Sequence, residues 1–200
     1  MKRIFLSLAI ALGFAGSASA ELLINADFED TGDTTGDGSG WEFYGNAEIN
    51  NFFGNAHGSI FTDAAQFSGM FQDVAAVVGN EYTFTIEDAR IEANAFSEIL
   101  FGLEFRDASD NLLGTATQNM IPTGAELNGY TDSVTATAID PNTTSVRAII
   151  KLDRVLASPG TTSSSGFFVF DSTLTAVPEP GSLLLMGGGV LMMLKRKRAA

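Results

Sequence analysis

His57 is the only histidine in this chain of 200 residues, and there is no cysteine. Disulfides, thiolate nucleophiles and thiolate metal sites are therefore excluded. One histidine cannot build a multi-histidine zinc or copper centre within a single chain. His57 precedes Gly58-Ser59 in a loop-like stretch, which predicts a solvent-exposed side chain rather than a general base. There is no Gly-x-Ser-x-Gly elbow, no His-Glu-x-x-His helix and no phosphate-cradling glycine loop. Carboxylates and aromatic rings remain. Paired carboxylates could cleave a glycoside at the separations such enzymes use, but 24 acids leave the choice of a pair open. Catalytic residues are expected to be none. Aromatic rings suit the stacking of a flat ligand, and Tyr44, Phe52, Phe53 and Tyr130 are the candidates. Phe52-Phe53 is unusual because Asn50, Asn51, Gly54 and Asn55 surround it. Adjacent strand residues face opposite ways, so one of that pair should point outward. The lone Trp41 follows Gly40 and is expected in the core.

Strands must position these groups, because no strong helix pattern appears between the two ends. Val, Ile, Thr and Phe recur in short runs separated by Gly, Asn, Asp and Pro, the pattern of an all-β domain. Ile99, Phe101, Leu103 and Phe105 alternate onto one face. Val146, Ala148, Ile150 and Leu152 do the same, with Arg147 and Lys151 opposite. Tyr82, Phe84 and Ile86 form a third inward set, and Phe167 to Thr175 is a fourth run. Period-2 patterning with polar opposite faces predicts antiparallel sheets buried on one side, stacked as a sandwich. Gly79-Asn80 and Asp110-Asn111 are the expected turns. Thr31 to Gly40 and Ser158 to Gly166 read as loops too poor in apolar residues to join a core.

The formal charge of −13 understates the acidity of the middle of the chain, because most basic residues sit near its ends. Between them only Arg90, Arg106, Arg147, Lys151 and Arg154 are basic. Such a surface repels nucleic acid and anionic lipid and favours divalent cations. Near the start, Met1-Lys2-Arg3, the apolar run Ile4–Ala15 and Ala18-Ser19-Ala20 predict a secretory signal peptide over residues 1–20. Signal peptidase would cut between Ala20 and Glu21. Residues 21–176 then suit one sandwich domain with a sizeable core.

Residues 177–200 form a tail of different character. Gly181–Leu194 carries no charge and as a helix would reach roughly 21 Å at 1.5 Å per residue. A bilayer core is about 30 Å thick, so this is a short transmembrane segment. Lys195, Arg196, Lys197 and Arg198 can snorkel to headgroups and should stay cytoplasmic. Gly187, Gly188 and Gly189 each cost about 1 kcal/mol of helix propensity, which makes a poor permanent anchor. Val177-Pro178-Glu179-Pro180, the short apolar run and the basic cluster together resemble the PEP-CTERM sorting signal of Gram-negative bacteria. That resemblance implies recognition by an exosortase-type membrane peptidase near Pro-Glu-Pro. It also implies a transient stay in the inner membrane, then release to the cell surface or extracellular matrix.

A second resemblance spans most of residues 22–176. Leu22 to Glu29, Gly40-Trp41, Phe71-Gln72-Asp73-Val74 and Gly79 to Phe84 are followed by Phe101 to Phe105, Asp107 to Leu113, Ser145-Val146-Arg147 and Phe168-Val169-Phe170-Asp171. Together these marks resemble galactose-binding-like carbohydrate-binding modules, which implies a jelly-roll sandwich and association with polysaccharide. In those modules a structural calcium often joins the first and last strands. Carried over by position, its ligands are Glu29 and Asp171, with Asp27 and Asp30 as alternates and Ser172 where a second Asp often stands. Calcium's preference for six to eight oxygens suits such an acidic site. The expected protein is thus a non-enzymatic, exported surface or matrix protein that associates with exopolysaccharide. The alternative is a secreted glycan-active enzyme of the hydrolase or lyase type.

Overall fold

Alternation of apolar and polar residues resolves into ten antiparallel strands in two stacked sheets. The structure is a computed structural model that describes residues 21–28, 40–50, 56–61, 67–92, 96–120, 129–155 and 166–178. The strands are β1 (Glu42–Tyr44), β2 (Ala47–Asn50), β3 (His57–Phe61), β4 (Ser68–Ala75) and β5 (Asn80–Glu92). They continue as β6 (Phe96–Arg106), β7 (Leu112–Asn119), β8 (Tyr130–Thr137), β9 (Ser145–Val155) and β10 (Gly166–Pro178). One sheet has the order β1-β4-β9-β6-β7 and the other β2-β3-β10-β5-β8. From β3 onward the chain crosses between sheets at every connection except the β6–β7 hairpin, which is jelly-roll topology. The expected all-β sandwich is what forms. The signal peptide and the transmembrane segment lie outside the described residues.

The predicted inward sets meet between the sheets. Ile99, Phe101 and Leu103 of β6 and Val146, Ala148, Ile150 and Leu152 of β9 are buried against Tyr82, Phe84 and Ile86 of β5. Phe84 and Phe101 meet across the layers with ring centroids 6.2 Å apart. Trp41 is fully buried, as expected. It stacks on Phe28 at 5.1 Å and donates its indole N–H to the Asn25 carbonyl.

The segment before β1 is stitched to the last strand. Leu22 donates its N–H to the Leu174 carbonyl, and the backbone N–H and hydroxyl of Ser172 both reach the Ala26 carbonyl. Ser172 is therefore a buried tie between the chain's first and last described segments. β10 itself continues past residue 176. Val177 pairs with Glu81 and Pro178 with Asn80. Proline has no N–H to give a ladder, so a strand end is where it is tolerated.

His57 departs from expectation. It is fully buried at the start of β3, with Phe168 and Phe170 rings 5.3 Å and 5.0 Å from its own. The Gly-Ser that follows it suggested a loop, but Gly58 is needed in the strand: a Cβ there would lie 2.7 Å from the Met70 sulfur.

Candidate functional site

The outward face of the β1-β4-β9-β6-β7 sheet gathers the groups best suited to hold a ligand. Along β4 the inward Met70 and Gln72 alternate with Gly69, Phe71 and Asp73 on this face, by the period of the strand. Register then sets the rows across it. Tyr44 stands opposite Gly69, which stands opposite Lys151. Asp73 stands opposite Arg147, which stands opposite Glu104.

Tyr44 is half-buried and lies against bare backbone. A Cβ at Gly69 would be 2.4 Å from the Tyr44 hydroxyl, so only glycine lets the phenol settle there. The Tyr44 and Phe71 rings are 6.4 Å apart, and the Arg147 guanidinium sits 3.8 Å over the centre of Phe71. Asp73 fixes that guanidinium with two parallel bonds, 2.8 Å from Nε and 2.7 Å from Nη2. Asp110 adds a contact at 3.3 Å. A bidentate pair stacked on a ring is rigid as well as charged, and lysine could not replace it.

Glu104 is the buried acid of the face. It pairs with Arg106 and, at 3.3 Å, with Lys151. Burial pushes its carboxyl up, but the Arg106 hydrogen bond and the Lys151 and Arg106 charges outweigh that and hold it below the usual value. Asp73 and Glu104 thus flank Arg147 on neighbouring strands, roughly 10 Å apart at two strand spacings. Asp73 is clamped by Arg147, and Arg106 and Lys151 hold Glu104 ionised.

The remaining sequence candidates are dispersed. Tyr130 begins β8, at the opposite edge of the sandwich from Tyr44 on β1. Burial, then its bond to Asp132, pushes the Tyr130 hydroxyl up to about 12, with a 2.6 Å contact to the carboxylate. Gln118 of β7 donates to the same carboxylate. Tyr130 therefore closes the gap between the two sheets rather than meeting Tyr44. Phe52, Phe53, Glu29, Asp30, Ala18, Ala20, Glu179, Pro180 and Lys195–Arg198 lie outside the described residues. Glu21 is described: its carboxylate accepts the Leu23 and Leu174 N–H groups at 2.8 and 3.0 Å.

Asp171 lies on β10 beside the same N-terminal segment. Burial raises its pKa first, and the charges of Glu87, Asp27 and Glu21 raise it further against a backbone bond from Ser172. This is a field that favours a cation. Among the described residues, however, no three acidic or histidine side chains stand close enough to hold a metal ion. Asp171 fits a calcium site in charge, and the described donors fall short of its oxygen count.

Sequence reasoning missed Phe71, Arg147 and Asp73 as partners of Tyr44. The available signal was the basic pair Arg147 and Lys151 opposite an apolar strand face, which marks an outward surface but not its neighbours.

Fold and tail together define a class: an antiparallel jelly-roll sandwich joined to a C-terminal sorting signal. Residues 176–198 match the PEP-CTERM protein-sorting motif, a signal for export and surface localisation. No curated protein matches the chain. Among solved structures, an apo-form cyclase from Fischerella sp. is similar at 20% identity, covering 82% of this chain and 98% of that one, with a TM-score of 0.53. The enzymatically active domain of bacteriophage CBA120 tailspike protein 4 is similar at 10% identity over 78% of this chain, with a TM-score of 0.50. This chain spans only 21% of the tailspike chain. The CBM22-1 xylan-binding domain from Paenibacillus barcinonensis Xyn10C aligns at 12% identity over 80% of this chain and 98% of its own, with a TM-score of 0.48. At these identities the likeness to the cyclase and the tailspike domain is one of fold.

Proposed function

We propose that this protein is sorted by an exosortase-type peptidase to the surface or matrix of a Gram-negative cell, where it associates with exopolysaccharide without catalysing a reaction. The tail would hold the inner membrane until it is cut, after signal peptidase has removed residues 1–20. The single observation that carries the binding reading is Tyr44, its hydroxyl end seated against Gly69 beside the Phe71–Arg147–Asp73 cluster. A ring fixed on a sheet face stacks on a sugar ring, and fixed charges next to it hydrogen-bond to hydroxyls. The competing glycan-active enzyme needs one carboxyl kept protonated as general acid. Glu104, the buried acid of this face, is shifted the other way, which supports the non-catalytic reading.

The test is binding of the mature protein to a glycan array and to the producing strain's own polysaccharide, with an assay for reducing ends in parallel. Retention that depends on Tyr44, without release of sugar, is expected. Release of reducing ends would favour the enzyme, and no binding to any glycan would leave a structural role.

The field at Asp171 supports a second proposal: a structural calcium held by Asp171 together with Glu29, between the N-terminal segment and β10. The ion would offset the negative field at Asp171 and tie the two segments together.

A further inference from the structure

The end of the sandwich from which the tail departs carries a rim of aliphatic side chains that no strand covers. Three turns form it: Ala76–Gly79 between β4 and β5, Asp107–Asn111 between β6 and β7, and Ala138–Thr144 between β8 and β9. Val77, Val78, Ile139 and Leu112, at or beside these turns, are four of the six large hydrophobic residues exposed among the described residues. Ile139 is 83% exposed and Val77 59%. A scatter of single exposed apolar residues is ordinary; their concentration at one end is not.

This end is also stiff, and its carboxylates are tied back to the fold. The turns bond to one another: Gly79 N–H to the Ala138 carbonyl at 2.8 Å, Ala76 N–H to Thr144 at 2.9 Å, and Thr144 N–H to Arg106 at 2.9 Å. Asp107 turns its carboxylate onto the Ser109 and Asn111 N–H groups, and Asp140 onto Asn142. Asp110 pairs with Arg106 and Arg147. The carboxylates of these turns are therefore occupied within the fold while the aliphatic groups point out.

The chain's exit links this rim to a lipid surface. Pro178 pairs with Asn80, the residue after the Val77-Val78-Gly79 turn. Only Glu179 and Pro180 separate Pro178 from the uncharged run beginning at Gly181, a reach of at most about 11 Å for extended chain.

We propose that the rim of Val77, Val78, Ile139 and Leu112 rests in the interface of the membrane that the uncut tail spans. The inference rests on the reading of the tail as a transient anchor. A tether this short holds the rim at high effective concentration near the bilayer, so a few aliphatic side chains suffice to orient the domain. The sandwich then stands upright, with Glu179-Pro180 at the surface where a membrane peptidase works. Once the tail is cut the tether is lost, and four aliphatic residues on an acidic body do not hold it. Docking and release are thereby coupled to the same cleavage.

The test uses the tail-bearing chain purified from membranes and inserted in phosphatidylcholine vesicles. Because the chain has no cysteine, Val78→Cys and Ile139→Cys carry single spin labels without further changes. Thr131→Cys, exposed near the other end of β8, is the reference. Collision with oxygen is compared with collision with a water-soluble nickel complex. Vesicle flotation together with an oxygen-to-nickel ratio several-fold higher at 78 and 139 than at 131 is expected. Flotation with all three labels equally exposed to nickel overturns the docking while leaving the tail reading intact. Failure to float removes the tail reading, and the docking with it. Labels shielded from both probes, with spin broadening that disappears on dilution with unlabelled chain, would assign the rim to a second copy and overturn the lipid assignment.

Discussion

Pro178, the second residue of the sorting motif, is the register partner of Asn80 in the β5–β10 ladder. The motif therefore begins inside the folded sheet, and a peptidase reaching residues before Pro178 must first peel the last strand from its neighbour. Carboxypeptidase digestion of the released protein should trim any residues after Pro178 and stop there. Loss of Val177 and Ala176 under native conditions would contradict the pairing.

Tyr44 and Tyr130 separate the binding reading from a merely structural one. Tyr44→Ala removes the ring seated against Gly69, and retention on polysaccharide should fall about tenfold or more, with a fall in thermal midpoint of only a few degrees because the ring is half-buried. Tyr130→Phe loses the hydroxyl's bonds to Asp132 and Gln118, about 1–2 kcal/mol of stability, and should leave retention unchanged. Affinity measurements on the two variants, paired with thermal unfolding, check both halves.

Much of this fold is legible in the sequence, and the site is not. The alternation in Ile99–Phe105 and Val146–Leu152 fixes which residues point inward, because period 2 follows from strand geometry alone. It does not fix which strand lies beside which. Tyr44 meets Gly69, and Asp73 meets Arg147, only through pairings between β1 and β4 and between β4 and β9, and a local pattern carries no information about such distant partners. His57 misled for a related reason: its own context reads as a loop, and the rings that bury it come from β10.

Glu104 should make stability fall in acid. Its folded pKa lies below the unfolded value of about 4.5, so its contribution is complete above that value and is lost as pH falls through the folded pKa. Glu104→Gln leaves Arg106 and Lys151 without their carboxylate and should cost roughly 2 kcal/mol at neutral pH. The loss should shrink towards zero in strong acid. Denaturant unfolding from neutral to acidic pH measures it.

Asp171 has the opposite sign. Its folded pKa is raised, so without a cation the folded state binds a proton more readily than the unfolded one, and this contribution to stability falls as pH rises from the usual aspartate range through the folded pKa. In chelator, Asp171→Asn should raise the thermal midpoint by about 2–4 °C. In calcium the wild type should be stabilised and the variant should not. A wild-type midpoint identical in calcium and chelator would remove the calcium proposal.

The intact mass of the protein recovered from the medium and from cell membranes tests the central claim most directly, namely that an exported sandwich is cut free of its tail. The expected released product begins at Glu21 and ends between Pro178 and Gly181. A protein found only in membranes with Lys195–Arg198 still attached, or one ending before Val177, would contradict the account.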